Sequence, residues 1–410
     1  MIVAFMVVNF ADKSVLGLAA LPIMDELHLS HSTYGLISSC FFLLFSLSGL
    51  VVGFLSARFS TRLLLFAMTL LWAVAQLPVL IVATVPALVV GRLLLGAAEG
   101  PAAAMSMHAL YTWFPPGRRG LPSALHIGGA ALGTLIAAPV VTWLITAHGW
   151  RSAFAALAVA SALWSLLWWR VGHDGPYGQA QPPPAQGEPT RGGTRLPYRR
   201  ILRTGTVLGS ISSAFGAQWA LSLSSTWLPA YLRTQLPMTA ERAATTISAV
   251  SACGFVLLLT VSPLVDALRR RGVSHRWSSG ALQGGAVCLA GAAMAAFPFV
   301  HPTGPRLVLL AAAFGCASVA IPLHYITTAE VVPTTQRGAV FGIVAATGTL
   351  PGLLAPALTG HFIDTSRTAA TGYTTSFLVT AVVMLLAGAF AVAAIRPEHD
   401  ARRLNPAGGD

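Results

Sequence analysis

Charge is scarce in this 410-residue chain: 9% of its residues are charged against 55% hydrophobic, and it has a single lysine, Lys13. No stretch carries the charged and polar surface that a folded soluble domain turns to water, so a soluble enzyme is excluded. Cysteine is scarce too. Cys40, Cys253, Cys288 and Cys316 fall in separate apolar stretches, without C-x-x-C spacing or neighbouring histidines, which argues against disulfides and metal. The chain lacks H-E-x-x-H, G-x-S-x-G and Walker-type phosphate motifs. A membrane enzyme or a non-transporting sensor is thereby disfavoured, and no cofactor or metal is expected. The first apolar segment has no basic leader and holds Asp12-Lys13 in its middle, which argues against a cleaved signal peptide. It begins almost at residue 1, so the true start is expected upstream.

What the chain has in quantity is apolar sequence, in stretches near 2–20, 34–54, 63–82, 86–109, 121–145, 152–170, 204–228, 243–265, 278–299, 306–328, 338–361 and 374–395. At about 1.5 Å per residue, each is long enough as a helix to cross a hydrocarbon core of roughly 30 Å. The expected fold is an all-α membrane protein of twelve transmembrane helices. Residues 172–202, rich in Gly, Pro and Arg and including Pro182-Pro183-Pro184, read as a cytoplasmic linker. They divide a six-helix bundle at 1–171 from another at 203–396, with a cytoplasmic tail at 397–410. Weak repeats join the halves: Pro115 precedes Arg119-Gly120 as Pro333 precedes Arg337-Gly338, and Gly149-Trp150 with Phe154 is echoed by Gly372-Tyr373 with Phe377.

The net charge of +12 raises the question of nucleic acid, and its distribution answers it. Eighteen of the 25 basic residues fall in the tails and in alternate loops on one side, against five on the other. The positive-inside rule places that richer side, with both termini, in the cytoplasm of a cell (inner or plasma) membrane. The basic excess therefore reports topology, and no nucleic-acid partner is expected.

Four charges lie at membrane depth: Asp12 and Lys13 in the first stretch, Arg92 and Glu99 in the fourth. An ionisable group there is costly and marks function by default. Arg92 and Glu99 are seven residues apart, nearly two helical turns, so they share one face about 10 Å apart. Lys13 projects about 100° round the helix from Asp12 and need not pair with it. Burial favours the neutral form of a carboxyl group, which suits Asp12 and Glu99 to carrying protons. The alternative is static ion pairs that hold helices together, an expensive device because burial costs about what pairing returns.

Asn9-Phe10-Ala11-Asp12-Lys13 resembles the first-helix Asn-Tyr-x-Asp-Arg signature of the anion:cation symporter family, within the major facilitator superfamily. Arg92 to Gly96 and Glu99 resemble its Arg-x-x-x-Gly-x-x-Glu, Trp227-Leu-Pro229-Ala-Tyr231 its Trp-x-Pro-x-Tyr, and Gly149-Trp150-Arg151 with Phe154 its start of helix six. The resemblance runs over essentially the whole chain. It implies the two-bundle facilitator fold with substrate held between the halves, and Asp12 and Glu99 as the proton-coupling acids. Lys13 stands where the family has Arg, which keeps the charge but loses the planar fork. The family's sugar-acid transporters contact substrate hydroxyls through a Tyr, a Gln and an Asn at the positions of Phe45, Ala130 and Ala345, so a less polar organic anion is favoured here. The superfamily's loop Gly-x-x-x-Asp-Arg-x-Gly-x-Arg has Ala57 for its Asp, ahead of Arg58 and Arg62. The second half keeps Asp266 ahead of Arg269, Arg270 and Arg271, and a lopsided charge latch is expected between these loops.

The expected substrate contacts are Lys13 and Arg92, with Phe45, His126, Gln218 and Trp219 lining the cavity. His108 and His324-Tyr325 are weaker candidates for the same wall. Glu330 and Arg337, flanking Pro333, are expected to form a structural loop pair, and Trp143, Trp168, Trp169 and Trp227 to anchor span ends at the membrane interface. The function read from these residues is proton-coupled symport of an organic carboxylate, by a protein expected to act as a monomer. The alternative is proton-antiport export of drugs or metabolites. Such antiporters commonly show Gly-Pro followed by paired glycines in helix five, whereas Gly128, Gly129, Gly133 and Pro139 are scattered.

Overall fold

A computed structural model describes residues 1–55, 59–115, 120–176, 196–333 and 336–404. Among the described residues the regular structure is entirely helical. The helices are α1 (Ile2–Leu18), α2 (Ala20–Glu26), α3 (His31–Leu55), α4 (Thr61–Ile81), α5 (Val85–Glu99), α6 (Ala102–Tyr111), α7 (Gly120–His148), α8 (Trp150–Val171) and α9 (Tyr198–Leu202). They continue as α10 (Gly205–Thr226), α11 (Leu228–Thr234), α12 (Ala240–Arg270), α13 (Leu282–Ala296), α14 (Thr303–Val331), α15 (Arg337–Thr349), α16 (Pro351–Thr365), α17 (Ala369–Ala394) and α18 (Pro397–Leu404). A π-helical turn at Arg276–Ala281 leads into α13.

Helix is the form that satisfies every backbone polar group within one segment in lipid. Ten segments are long and apolar enough to span a membrane, and α1 with α2 makes an eleventh, bent by 49°. The remaining one, α10, seventh in chain order, is 22 residues long but rich in serine and less apolar. Four of the expected continuous stretches are interrupted, and each break has a proline just beyond it. Pro22, Pro101, Pro229 and Pro351 stand at or near the start of α2, α6, α11 and α16. A proline removes one backbone donor and its ring clashes with the carbonyl four residues back, which ends the preceding helix.

The chain forms two compact units. The first comprises 1–188, 225–252 and 356–370, and the second 189–224, 253–355 and 371–410. In the first unit Phe5, Phe41, Leu65, Trp72, Leu95 and Trp164 form a buried core contributed by α1, α3, α4, α5 and α8. The N-terminus of α3 is capped from far along the chain: Asp364 accepts hydrogen bonds from the backbone N–H of His31 (3.2 Å) and Ser32 (2.7 Å) and sits 2.8 Å from His31 Nδ1. These are donors that a helix start leaves unsatisfied.

Gly96 sets the approach of α5 to α3. A Cβ there would lie on the Phe41 carbonyl, so α3 and α5 approach closely only because the side chain is absent. Gly96→Ala is expected to force the pair apart and destabilise the protein by roughly 1–3 kcal/mol. A lowered thermal-unfolding midpoint in detergent checks this.

Of the four tryptophans expected at the interface, Trp143 and Trp169 are half or more exposed, but Trp168 and Trp227 are buried. Their indole N–H groups donate to the carbonyls of Arg62 and Pro356, each at 3.0 Å. A buried indole is held where its one donor finds an acceptor.

Candidate functional site

The first unit gathers all four membrane-depth charges. Asp12, Arg92 and Glu99 are buried, at 0%, 4% and 1% exposure. Adjacent on α1, Asp12 and Lys13 turn to different partners. Asp12 accepts a hydrogen bond from Gln76 Nε2 of α4 at 2.9 Å and a longer one from Ser161 Oγ of α8 at 3.5 Å. Lys13 turns toward α5: its Nζ donates to Asn9 Oδ1 one turn back, at 2.9 Å, and forms an ion pair with Glu99 Oε2 at 3.4 Å. Lys13 does not pair with its neighbour Asp12; α5 delivers an acid to it.

Two rings flank the ammonium, Phe10 with its centroid at 4.5 Å and Phe45 at 5.2 Å, within the range of cation–π attraction. Phe45 is placed there by α3, which lies against α5 at Gly96 and Gly100. The Lys13 side chain keeps 23% exposure while that of Glu99 has none. The cation is thus partly exposed and the acid that holds it is not.

The 3.4 Å contact is longer than a charge-assisted hydrogen bond of about 2.7–2.9 Å. Neither Glu99 oxygen has a hydrogen-bond partner among the described residues, nor does Asn9 Nδ2. Arg92, on the same face of α5, forms no close ion pair among the described residues. Its guanidinium lies 6.0 Å from the Phe154 ring centroid and is near enough to Glu99 and Asp12 to interact electrostatically. Two acids and two bases share this interior, and their formal charges cancel.

Most of the other expected contacts have local partners of their own. His126 of α7 is buried against α6, its Nε2 2.7 Å from Ser106 Oγ. No polar contact joins it to the four charges among the described residues. His108 is exposed. Gln218 and Trp219 belong to α10 in the second unit: the Gln218 amide donates to Ser222 Oγ at 3.3 Å, and Trp219 is buried beside Phe215. His324, also in the second unit, is buried with no hydrogen-bond partner for either ring nitrogen among the described residues, and its ring is 4.0 Å from that of Tyr325.

Arg58 lies outside the described residues. Arg62 donates to the Trp169 carbonyl and stacks over that ring at 5.3 Å. Asp266, Arg270 and Arg271 are exposed, and none is in an ion pair among the described residues. The expected Glu330–Arg337 pair is not formed. Glu330 pairs instead with Arg269 and with His275 at 3.1 Å. Arg337 donates to the carbonyls of Ala329 (2.8 Å) and Val332 (3.2 Å), which the end of α14 leaves without helical partners.

Polar partners that sequence reasoning passed over are Gln76 and Ser161, which hold Asp12, and a fully buried set in the second unit. There Gln283 donates to Ser213 and accepts from Thr327 at 2.9 Å, and Thr327 lies 2.9 Å from Ser210. A signal for the glutamines was available: each is an isolated amide within a long apolar helix.

Ionisable groups of both signs in the apolar interior of a polytopic helical protein mark a functional site, of the kind that substrate and proton pathways of membrane transporters use. The sequence model of the Major Facilitator Superfamily matches residues 2–311, and the chain belongs to that superfamily. It is similar to a hexuronate transporter of Bacillus subtilis, 25% identical over 95% of this chain and 92% of that one. It is also similar to the probable sulfoacetate transporter SauU of Cupriavidus necator, 29% identical over 55% and 54% of the two chains. Among solved structures, a bacterial homologue of the human lysosomal transporter Spinster superposes with a TM-score of 0.77 over 96% of this chain and 95% of that one, at 16% identity, and shares the fold. The protein is a multi-pass secondary transporter of the major facilitator fold.

Proposed function

We propose that this transporter moves an organic carboxylate into the cell together with protons, by alternating access. One observation carries the reading: Lys13 is partly exposed yet serves as the ion-pair partner of a wholly buried Glu99. When a substrate carboxylate draws the ammonium to itself, Glu99 is left buried without its cation. Leaving a buried charge uncompensated costs about 3–5 kcal/mol, and a proton removes that cost. Anion binding and proton uptake at Glu99 then favour each other, as reciprocal linkage requires. The four interior charges cancel, so one proton accompanies a monovalent anion without net charge. Asp12, held by Gln76, supplies the second acid, and Arg92 biases both electrostatically.

The names of both relatives, hexuronate and sulfoacetate transporters, support an organic anion. The Phe10 and Phe45 rings beside Lys13 favour one with an apolar or aromatic body over a polyhydroxylated one. A counterflow screen of organic acids in proteoliposomes tests the proposal. Exchange of aromatic or other weakly polar carboxylates is expected, and a clear preference for aldonates would count against the walls assigned to the site.

The proposed arrangement in the cell is a pair of six-helix bundles with both termini in the cytoplasm, supported by the eighteen-to-five asymmetry of basic residues. Single cysteines placed within 172–200, a stretch that lies largely outside the described residues, are expected to resist membrane-impermeant thiol reagents in intact cells. Labelling from outside would reverse the orientation.

A further inference from the structure

Two short helices at one end of the second unit, α9 and α18, lie outside the membrane spans and are separated by about half the chain. The fold brings them together at Thr206. Asp400 of α18 accepts hydrogen bonds from Thr206 N–H (2.8 Å) and Oγ1 (2.7 Å), at the start of α10 just beyond α9, and Arg396 N–H donates to Thr206 Oγ1 at 3.2 Å. Ile201 fastens α9 by burial against Val207, Val332, Val340 and Val344. On α18, Pro397, Asp400 and Leu404 form the buried face. Glu398 accepts from the His275 N–H at 2.9 Å.

The acids of this end are thus turned to protein donors, while Arg199, Arg200, Arg203, Arg396, Arg402 and Arg403 are all exposed. None of the six is in an ion pair among the described residues. Depth is fixed by connectivity: α9 leads directly into α10, and α18 follows the spanning α17 after two residues. Tyr198 and Trp277, 46% and 60% exposed, stand at the same end, the Trp277 ring 5.5 Å from the Arg276 guanidinium. Exposed amphipathic aromatics among cations mark the headgroup layer of a bilayer.

We propose that the six arginines of α9 and α18 and their flanks form a binding surface for anionic phospholipid headgroups, with the phosphodiester as the recognised group. Guanidinium is suited to phosphate by its planar fork of donors. Lipid is the occupant because the spans on which these helices sit hold headgroups beside them at high effective concentration, which free phosphate lacks. Juxtamembrane basic clusters gain attraction from each added charge and lose it over a Debye length. Contact with both helices braces the Thr206–Asp400 junction and so the entry to α10.

The test follows thermal unfolding of the full chain in neutral detergent with increasing phosphatidylglycerol or phosphatidylcholine. Phosphatidylglycerol is expected to raise the midpoint at a lower mole fraction than phosphatidylcholine, an effect that fades in high salt. Arg199→Gln/Arg200→Gln/Arg402→Gln/Arg403→Gln should unfold normally in phosphatidylcholine but need about tenfold more phosphatidylglycerol or beyond. Arg367→Gln, an exposed arginine in the first unit, should behave as wild type. Equal protection by the two lipids, the same protection by inorganic phosphate alone, or an equal loss in Arg367→Gln would each overturn the proposal. If the fourfold variant does not fold, Arg402→Gln/Arg403→Gln and the wild-type salt series decide by the same criteria.

Discussion

Glu99→Gln is expected to abolish substrate accumulation driven by a proton gradient while leaving measurable exchange of substrate for substrate. Glu99 is shielded from solvent, and Lys13 is its sole ion-pair partner among the described residues. A glutamine mimics the protonated acid: it leaves Lys13 free for the anion and carries no proton to release. Exchange does not require that release, and net transport does. Asp12→Asn is expected to abolish accumulation as well, since it removes the ionisable carboxyl that Gln76 and Ser161 hold in place between α1, α4 and α8. Uptake against a gradient by both neutral variants would return these acids to the role of static helix ties.

Lys13→Gln is expected to weaken substrate affinity by about thirtyfold or more, the effect of losing about 2–5 kcal/mol when one partner of a buried charge pair is removed. Lys13→Arg should retain part of the affinity, because the charge stays while the guanidinium must fit between Phe10 and Phe45, rings placed around a smaller ammonium. The two variants separate charge from shape. In Lys13→Gln, Glu99 has lost its cation in the empty transporter as well, so the dependence of affinity on proton concentration should flatten. Titrating substrate binding at several pH values reads both effects, and unchanged affinity in Lys13→Gln would remove Lys13 from the site.

The charged residues were legible because lipid makes each of them conspicuous: Asp12, Lys13, Arg92 and Glu99 interrupt apolar runs. Pairing was not legible. Periodicity places Arg92 and Glu99 on one face of α5, but which residue of α1 meets Glu99 depends on how the helices pack, and that is set by small residues such as Gly96 and Gly133. Local reasoning therefore left the partner of Lys13 open, where the fold supplies Asn9 and Glu99. It expected Glu330 to meet its neighbour in sequence, where the acid meets Arg269 and His275 across the fold and Arg337 serves the end of α14. Neutral partners were harder still. Gln76 and Ser161 carry no charge to mark them, and their importance follows only from the carboxylate they reach. The helix breaks near Pro22, Pro101, Pro229 and Pro351 were readable from backbone chemistry but were overridden by the length of the apolar runs.

In the proposed mechanism Lys13 is shared between Glu99 and the substrate, so that an anion arrives with a proton. The most direct test is proton uptake measured with a pH indicator as a transported organic acid is added to the purified protein in weak buffer. Wild-type protein is expected to take up about one proton per carboxylate bound, and Glu99→Gln none, although it still binds. Binding without proton uptake in the wild type, or undiminished uptake in Glu99→Gln, would contradict the account.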